Sequence, residues 1–400
     1  MIERNAELTL KTLASGFPIV ALTGPRQSGK TTLARKVFSS HAYVSLEDPE
    51  MLDYAVRDPR GFLGRFPNGA IFDEVQRCPA LFSYLQGWVD QRRRMGDFIL
   101  TGSQQFGLLS GIGQSLAGRV GLVQLLPFSG AELLHAGAAP DTLDGLLWRG
   151  GYPPLYDRAL SPVHWFPNYV TTYLERDLRQ VLAVRDLGLF QRFVKLCAAR
   201  TGQLLNLSSL AVDCGISHVT AREWLTVLEA GYLVFLLRPY HRNFGKRLVK
   251  SPKLYFLDVG LAAWLLGVRD VESLNIHALR GALFETWVVG EYVKQRFNGG
   301  QPADLFFWRD NVGHEVDLLY EANGKLQAVE IKSGSTFVPE WLGPMRKWQS
   351  FAGDQALPPC LVYGGAESYV REGVQVLGWR DMAAGIGALS SATFPSQPGH

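Results

Sequence analysis

The sequence has few cysteines, no long apolar run and almost no net charge, and each of these absences excludes a class of protein. Its four cysteines are scattered without a C-x-x-C pair, which argues against a disulfide framework and against a thiolate zinc site. No uninterrupted apolar run approaches the roughly 18 residues of a membrane span, and the opening MIERNAELTL lacks the apolar core of a signal peptide. We therefore expect a cytoplasmic protein without a membrane partner.

The overall charge and composition carry little information about partners. There are 40 basic and 37 acidic residues, so the net charge is only +3 and any argument for a polyanionic partner must come from local clustering. The 42 glycines and 21 prolines are too few for a low-complexity chain. A length of 400 residues suits two or three domains of about 150 residues each.

The first third of the chain alternates short apolar runs with helical patterns. Runs with apolar residues at consecutive positions are typical of strands that are covered on both faces, as in a parallel sheet. We therefore predict an α/β domain over residues 1–130. Its predicted strands lie at 19–24, 42–46, 70–74, 97–103 and 121–126.

The rest of the chain divides by changes in pattern. A helical connector is predicted for 131–203, and a helix-turn-helix followed by two strands for 204–262. A further α/β domain is predicted for 263–385, and the tail 386–400 is expected to be disordered.

A phosphate-binding motif follows the first predicted strand. Residues 24–31, GPRQSGKT, fit G-x-x-x-x-G-K-[ST], in which backbone N–H groups surround a β-phosphate at a helix N-terminus. Lys30 would reach the β- and γ-phosphates, and the Thr31 hydroxyl would bind Mg²⁺. The cofactors expected are ATP and Mg²⁺. The candidate binding residues are Gly24, Pro25, Arg26, Gln27, Ser28, Gly29, Lys30, Thr31 and Thr32.

Two acidic residues end the third predicted strand, in AIFDEVQ. Asp73 would hold Mg²⁺ through water, and Glu74 could polarise the water that attacks the γ-phosphate, so the pair favours hydrolysis over binding alone. The alternative is an acidic turn at a strand end. A polar residue after the fourth strand could orient that water; Ser103 is preferred, with Thr101 and Gln104 as alternatives.

Arg119 precedes the last strand of the first domain. It is the candidate for a charge-neutralising arginine that reaches the γ-phosphate of a neighbouring subunit, in which case the active form is an oligomer. The alternative is a solvated or structural arginine.

Residues 207–233 have the pattern of a helix-turn-helix. Cys214, Gly215 and Ile216 form the predicted turn, and Ser217 is a plausible N-cap of the second helix. One face of that helix is predicted to carry Val219, Trp224 or Leu225, and Leu228. The outward-facing candidates for nucleic-acid contact are His218, Thr220 and Arg222.

A basic segment follows at 238–253, with six Lys or Arg residues and no acid. Together with Tyr240 and Phe244 it could contact phosphates and bases in the position of a wing, which predicts DNA as a partner. The alternative is a lid or a protein-interaction module with a solvated basic loop. The candidate contacts are Arg242, Lys246, Arg247 and Lys250.

An Asn-Gly pair at 323–324 lies between two alternating segments and predicts a β-hairpin. If Ala322 faces Lys325, then Asp317 lies opposite Glu330, where two like charges would destabilise the sheet. Something cationic should therefore lie between these two carboxylates.

Lys332 is predicted on the same face, opposite Glu315. Two carboxylates and a lysine can hold Mg²⁺ and stabilise a developing phosphorane, as phosphodiester hydrolysis requires, and Glu285 could add an oxygen ligand. The alternative is an exposed face whose charges are settled by pairing between Glu315 and Lys332.

The order of motifs resembles that of the AAA-type P-loop ATPases that carry a C-terminal domain of unknown function (4143) with a restriction-endonuclease-like core. The motifs are GPRQSGKTTL, IFDEVQ, LTGSQ, LAGRV, GGYP, SPKLYFLDVGL, GALFE, FWRD, EVD and VEIK.

This resemblance implies an AAA-like domain with residues 24–31, Asp73 and Glu74 in the phosphate, metal and water roles. It also implies a winged helix and a nuclease-like PD-(D/E)xK domain at 263–385. The E…D…E-x-K pattern of that domain falls on Glu285, Asp317, Glu330 and Lys332.

The hypothesis from sequence is an oligomeric ATPase that acts on DNA and couples ATP turnover to remodelling, or to metal-dependent cleavage by the C-terminal domain. The alternative is an ATP-gated oligomeric switch that signals to a protein partner, with a nuclease-like domain that does not cleave.

Overall fold

A computed structural model describes residues 1–103, 113, 115–175, 186–240, 250–310 and 312–384. The chain forms two compact units. Unit 1 comprises Met1–Phe128, Ala230–Tyr232 and Arg296–Pro302; unit 2 comprises Ser129–Glu229, Leu233–Gln295 and Ala303–His400. The predicted disordered tail 386–400 lies outside the described residues.

Unit 1 contains a five-stranded sheet whose paired strands are all parallel, in the order β2-β3-β4-β1-β5. The predicted parallel sheet is confirmed, and each strand lies within two residues of its expected position. The strands are β1 (Ile19–Thr23), β2 (Ala42–Ser45), β3 (Ala70–Asp73), β4 (Phe98–Gly102) and β5 (Val120–Gln124).

Both faces of this sheet are covered, which is why its strands read as continuous apolar runs. Ile19 and Phe72 pack in one core, while Val20 and Ile71, next to them in sequence, pack in the other. The helices of unit 1 are α1 (Ala6–Gly16), α2 (Lys30–Val37), α3 (Pro49–Arg57), α4 (Pro59–Gly64) and α5 (Ala80–Arg92), with a 3₁₀ turn at Val75–Arg77.

Unit 2 begins with a largely helical region. Its first helices are α6 (Gly130–His135), α7 (Leu143–Arg149), α8 (Pro154–Asp157), α9 (Pro162–Tyr169), a π-helical turn at Val170–Glu175, α10 (Leu187–Ala198), α11 (Leu207–Cys214) and α12 (His218–Ala230). The later helices are α13 (Val259–Leu265), α14 (Val271–Asn275), α15 (Arg280–Asn298), α16 (Gly343–Ala352) and α17 (Trp379–Ala384), with 3₁₀ turns at Pro339–Leu342 and Gly353–Gln355.

A nine-stranded mixed sheet runs through unit 2, in the order β13-β14-β12-β11-β10-β9-β7-β8-β6. Parallel pairing of β7 with β9 joins the strands after the helix-turn-helix to the C-terminal strands. The strands are β6 (Gln203–Leu204), β7 (Val234–Pro239), β8 (Lys253–Phe256), β9 (Leu305–Arg309), β10 (Glu315–Ala322), β11 (Lys325–Lys332), β12 (Cys360–Tyr363), β13 (Tyr369–Arg371) and β14 (Val374–Gly378).

The predicted hairpin is present between β10 and β11. Ala322 pairs with Lys325, and both turn residues, Asn323 and Gly324, have the positive φ of a two-residue hairpin turn. The antiparallel register continues as far as Leu318 opposite Val329, next to the two carboxylates that were predicted to oppose each other.

The two helices predicted around Gly215 are present, and Gly215 ends α11 in the left-handed conformation. Ser217 caps α12 by accepting a hydrogen bond from the backbone N–H of Thr220. Val219 is 65% exposed, so its predicted place on the packed face was wrong; Ala221 is buried instead. The cause is helix geometry: with 3.6 residues per turn, Val219 lies on the side of α12 opposite Ala221 and Leu228, which are buried.

Among the described residues, no helix is long and apolar enough to cross a membrane. All four cysteines are free and buried.

Candidate functional site

The phosphate motif forms a tight loop between β1 and α2. Gly24 has φ +145°, and a Cβ there would lie 2.1 Å from the carbonyl oxygen of Leu125, so only glycine fits. Gly29 has φ +91° and directly precedes α2. The Ser28 hydroxyl is buried and has no hydrogen-bond partner among the described residues. A buried, unpaired donor beside a helix N-terminus fits an anion such as a phosphate.

Lys30 is the first residue of α2 and is buried. Its Nζ donates to the carbonyl oxygens of Gly24, at 3.0 Å, and Pro25, at 2.8 Å. Burial lowers the pKa of Lys30 to about 8, although the negative charges of Glu74 and Asp73 oppose that shift. Neutral carbonyl partners leave the positive charge of the ammonium group available to a phosphate.

Asp73 ends β3 and accepts hydrogen bonds from three hydroxyl groups. Thr31 Oγ1 lies 2.9 Å and the Tyr43 hydroxyl 2.8 Å from Oδ2, and Thr101 Oγ1 donates to Oδ1. Burial and the bond to Asp73 raise the pKa of Tyr43 to about 12. The adjacent oxygen donors of Thr31 and Asp73 suit Mg²⁺, which prefers oxygen ligands and keeps several waters.

Glu74 has a separate set of partners. Its backbone is left-handed, with φ 54°, an uncommon conformation for a non-glycine residue that turns the chain out of β3. Ser103 Oγ donates to Glu74 Oε2 at 3.1 Å, and the Gln76 amide donates to the same oxygen. Of the residues considered for orienting water, Ser103 therefore lies beside Glu74 and Thr101 beside Asp73, while Gln104 lies outside the described residues.

Sheet order explains this arrangement. Strand β4 lies between β1 and β3, so Thr101 and Ser103 at its carboxyl end lie between the phosphate loop and the acidic pair. Parallel strands end at the same edge, which brings together residues that are far apart in sequence.

Two supports of the loop were missed in the sequence. Arg4 donates to the backbone oxygens of Ser28, at 2.7 Å, and Leu126, at 2.5 Å. The Tyr232 hydroxyl lies 2.8 Å from Thr23 Oγ1, directly before the loop, although Tyr232 is 209 residues away in sequence. No local motif marks either residue, because both contacts depend on tertiary packing.

Arg119 lies at the opposite edge of the sheet. It directly precedes β5, its backbone oxygen accepts from the N–H of Ile19 at the start of β1, and its side chain forms a two-bond salt bridge with Asp90, at 2.7 and 2.8 Å. The amino ends of these strands face away from the phosphate loop. Arg119 is therefore not brought into the nucleotide site of its own chain.

The candidate nucleic-acid residues are placed in part. His218, Arg222 and Lys250 are exposed, whereas Thr220 is half-buried and shares a hydrogen bond with Ser217. Arg242, Lys246, Arg247 and Phe244 lie outside the described residues.

Two members of the basic segment are not available to a nucleic acid. Tyr240, predicted to contact bases, is buried in a core with Trp308. Lys253, the last basic residue of the segment, is also buried. The pattern of basic residues interleaved with an aromatic one was read as a surface, but Tyr240 follows β7 directly and packs under the mixed sheet.

The acids of the C-terminal unit do come together, and Lys253 lies among them. Its Nζ is 3.0 Å from Glu285 Oε1, 2.5 Å from Glu315 Oε1 and 3.6 Å from Asp317 Oδ1. We call Glu285, Glu315, Asp317 and Glu330 the carboxylate cluster. The sequence predicted a cation between Asp317 and Glu330. Lys253, a lysine from β8, contacts Asp317 together with Glu285 and Glu315, whereas Glu330 pairs with Lys332.

The remaining groups of the cluster are also paired. Lys332 Nζ donates to Glu330 Oε1 at 2.6 Å rather than pairing with Glu315, which binds Arg309 at 2.9 Å. The backbone N–H of Ile331 donates to Asp317 Oδ2 at 2.9 Å. Glu330 is only 3% exposed, so this face is not the solvated surface that the alternative interpretation required.

Burial shapes the protonation of the cluster. Burial, reinforced by the charge of Asp317, raises the pKa of Glu330 to about 8, and the same two causes raise the pKa of Glu285. Burial alone would lower the pKa of Lys253, but Tyr255 and the surrounding carboxylates together raise it well above its ordinary value. The lysine is thus held as an ammonium ion.

This geometry does not fit a divalent metal ligated by Glu285 and Asp317. The ammonium of Lys253 lies between those carboxylates, where a metal would have to lie, and like charges repel strongly at such distances in a buried site. Among the residues that the structure describes, no group of three or more His, Cys, Asp or Glu side chains is placed to hold a metal ion.

Comparison with known families agrees with this architecture. Residues 16–134 match the family described as AAA domain, residues 140–272 a domain of unknown function (DUF8612), and residues 280–382 a domain of unknown function (DUF4143). The phosphate loop, acidic pair and parallel sheet thus belong to an AAA-type P-loop ATPase domain, which defines the class of the protein.

The chain is also similar to two curated proteins. It is 34% identical over 336 residues to the uncharacterized protein Mb2031c of Mycobacterium bovis and, equally, to the uncharacterized protein Rv2008c of Mycobacterium tuberculosis. In each case the match covers 83% of this chain and 74% of the relative. The chain belongs to the family of these two mycobacterial proteins.

Similarity to solved structures is more distant. The Walker-type ATPase PABY2304 of Pyrococcus abyssi is 14% identical, with a TM-score of 0.45, and the match covers 66% of this chain and 96% of that one. AMPPCP-bound DnaA from Aquifex aeolicus is 15% identical, with a TM-score of 0.31, over 56% of this chain and 85% of that one.

Proposed function

We propose that this protein hydrolyses ATP at the phosphate loop and couples that turnover to the remodelling of DNA. The observation that carries the hydrolysis is the position of Glu74: a carboxylate beside Asp73, turned out of the strand and held by hydrogen bonds from Ser103 and Gln76. A positioned carboxylate of this kind can orient a water molecule.

The residues divide the work as follows. The loop N–H groups and Lys30 bind the phosphates, and Thr31 and Asp73 hold Mg²⁺. When bound, Mg²⁺ neutralises charge on the β- and γ-phosphates. Glu74 orients a water for attack on the γ-phosphorus, so the bond to the bridging oxygen breaks and ADP is the leaving group. Ser103 keeps Glu74 in place.

Glu74→Gln tests this assignment. The amide keeps the shape of the side chain but loses the negative charge that orients water, so ATP turnover should fall at least ~100-fold while nucleotide binding remains. Turnover and the affinity for a fluorescent ATP analogue would both be measured. Glu50→Gln, on the exposed face of α3, is the matched control and should leave turnover unchanged. Full activity in Glu74→Gln would contradict the proposal.

The DNA part rests on α11 and α12 and on the exposed basic residues around them. His218 and Arg222 project from the first turns of α12, and Lys250 remains exposed at the end of the basic segment. A second helix that follows a three-residue turn and exposes polar and basic side chains on its first turns is the arrangement that a helix-turn-helix uses in the major groove.

Arg222→Ala and Lys250→Ala test the proposed contact with DNA. Both should weaken DNA binding measured by fluorescence anisotropy, and loss of one phosphate contact should lower the slope of log K against log salt by about 1. Arg60→Ala, an exposed arginine of α4, is the control. If both variants keep the wild-type affinity for DNA, and if DNA does not change the rate of ATP turnover of the wild type or of either variant, DNA is not the substrate.

We also propose that the active form is an oligomer in which Arg119 reaches the nucleotide of a neighbouring subunit. Its place at the edge of the sheet away from its own phosphate loop supports action on another chain. Mixing Arg119→Ala with Glu74→Gln, each inactive alone, should restore part of the turnover. If mixing restores no ATP turnover, the role of Arg119 is structural, through its salt bridge with Asp90.

A second candidate function is an ATP-gated switch that signals to a protein partner and whose C-terminal domain does not cleave nucleic acid. The position of Lys253 among the carboxylates favours the non-cleaving form of the C-terminal unit. Mass measurements in ADP and in a non-hydrolysable ATP analogue, with and without DNA, separate the two functions. An oligomer that depends on ATP but is indifferent to DNA supports the switch.

A further inference from the structure

The strongest unexplained feature of unit 2 is a lysine where a nuclease-like site would hold a metal. Lys253 is 3% exposed, and its Nζ contacts carboxylates from two different elements: Glu285 on α15 and Glu315 on β10. The third contact, Asp317, follows Glu315 by two residues on the same strand. One ammonium thus links the helix to the sheet.

Strand β8 is built to present this side chain. Lys253 pairs with Leu237 of β7 and with Leu204 of β6, so the backbone is held on both sides. Tyr255, two residues later and on the same face, donates to Glu285 Oε1 at 2.5 Å, the oxygen that Lys253 also contacts. The strand therefore supplies two donors, an ammonium group and a hydroxyl group, to the same oxygen of Glu285.

The charges of the region are close to balance without a metal. Lys253, Lys332 and Arg309 each contact at least one of the four acids of the carboxylate cluster. The oxygen Glu330 Oε2 is buried and has no hydrogen-bond partner among the described residues. A raised pKa lets Glu330 hold a proton, which would remove the remaining negative charge. The cluster is neutralised by the protein itself.

We propose that Lys253 is the resident cation of the carboxylate cluster and that it excludes divalent metals from the C-terminal unit, so that removing its charge opens a divalent-cation site. The inference does not depend on the proposed ATPase or DNA functions, because it concerns only residues of unit 2. It assigns the E…D…E-x-K pattern to an internal ion network instead of metal-dependent phosphodiester cleavage.

The test uses the full-length chain without nucleotide and Mn²⁺ as the probe. Mn²⁺ binding would be measured by electron paramagnetic resonance, and Tm would be recorded with and without Mn²⁺, for wild type, Lys253→Met, Asp317→Asn and the double variant. Lys253→Met should bind Mn²⁺ at least ten-fold more tightly than wild type and should gain Tm on its addition. Both effects should disappear when Asp317→Asn is added.

Two results would overturn the proposal. One is Mn²⁺ binding by wild type that Asp317→Asn abolishes, since the cluster would then hold a metal beside Lys253. The other is a folded Lys253→Met that binds Mn²⁺ no better than wild type. If Lys253→Met folds only when Mn²⁺ is present, the proposal is supported. If it folds neither with nor without Mn²⁺, the proposal is decided by whether the wild type binds Mn²⁺ and loses that binding in Asp317→Asn.

Discussion

In the part of the chain that the structure describes, carboxylates lie close together both at the phosphate loop and in unit 2, and the two groups have opposite kinds of hydrogen-bond partner. At the phosphate loop, Asp73 accepts bonds from three hydroxyls and Glu74 from a hydroxyl and an amide, all of them uncharged donors. In unit 2, Lys253 carries a full positive charge into the carboxylate cluster. Uncharged donors orient a carboxylate and leave its charge for an incoming cation, whereas an ammonium cancels it.

Carboxylates held by hydroxyl groups thus differ from carboxylates held by an ammonium group in how easily they can accept another cation. A hydroxyl can turn from a carboxylate toward a bound metal at little cost, as Thr31 can beside Asp73. A buried ammonium cannot leave its partners without exposing unpaired charges, which is far more costly. The same residue types therefore predict different chemistry, depending on what lies between them.

The largest expected effect is on stability in unit 2. Lys253→Met leaves Glu285, Glu315 and Asp317 buried without their cation, and breaking such a pair costs about 3–5 kcal/mol. The free energy of unfolding from urea titration would be measured in metal-free buffer. Lys250→Met, three residues earlier and exposed, is the matched control and should be nearly neutral. If the free energy of unfolding falls by less than ~1 kcal/mol, the ammonium of Lys253 does not stabilise the cluster more than uncharged donors stabilise Asp73 and Glu74.

The next effect concerns catalysis at the loop. Lys30→Ala removes the cation that faces the phosphates, and turnover should fall about 100- to 1,000-fold, as for other single charge-stabilising donors. Steady-state phosphate release would be compared with that of Lys11→Ala, an exposed lysine of α1. Equal rates for Lys30→Ala and wild type would place ATP turnover elsewhere.

A third prediction concerns pH. The ordinary pKa of a glutamate is 4.5, and that of Glu330 in the folded protein is raised to about 8 by burial and by Asp317. The stability linked to Glu330 is therefore complete below about pH 4.5 and is lost as pH rises through 8, because the unfolded chain has already released the proton.

Glu330→Gln should accordingly flatten the dependence of unfolding free energy on pH between 4.5 and 8, as measured by urea titration at several pH values. Glu340→Gln, at an exposed site, should keep the wild-type slope. An unchanged slope in Glu330→Gln would show that the carboxylate is ionised throughout this range.

The smallest effect is expected for a neutral donor. Thr101→Val keeps the shape of the side chain and removes one hydroxyl from Asp73, which retains its bonds from Thr31 and Tyr43. The expected cost is about 2 kcal/mol, below that of Lys253→Met. Thr12→Val on the exposed face of α1 serves as control for the β-branched replacement. A cost above that of Lys253→Met would reverse the ranking of the two sites.

Much of unit 1 could be predicted because its signals are local. Strands covered on both faces appear as apolar runs, and the phosphate motif needs glycines at positions such as Gly24, where a Cβ would clash. The hairpin between β10 and β11 was predictable for the same reason, since Asn323 and Gly324 alone specify its turn.

Apart from Val219, whose side of α12 was predicted wrongly, the failures involve contacts between distant segments. Lys253 was counted with the basic segment because its neighbours in sequence are basic, and its partners lie 32 to 64 residues further along the chain. Tyr240 was read as a surface aromatic for the same reason. Nothing in the sequence indicated that Arg4 and Tyr232 support the phosphate loop.

The sequence by itself determined that this protein has a P-loop ATPase domain, because a phosphate loop, its lysine and its acidic strand end are recognisable as short motifs. The tertiary structure alone decided which cation the second set of acids contacts. A carboxylate pattern specifies negative charge but not its partner, and only the fold of β8 against α15 and β10 places an ammonium ion there.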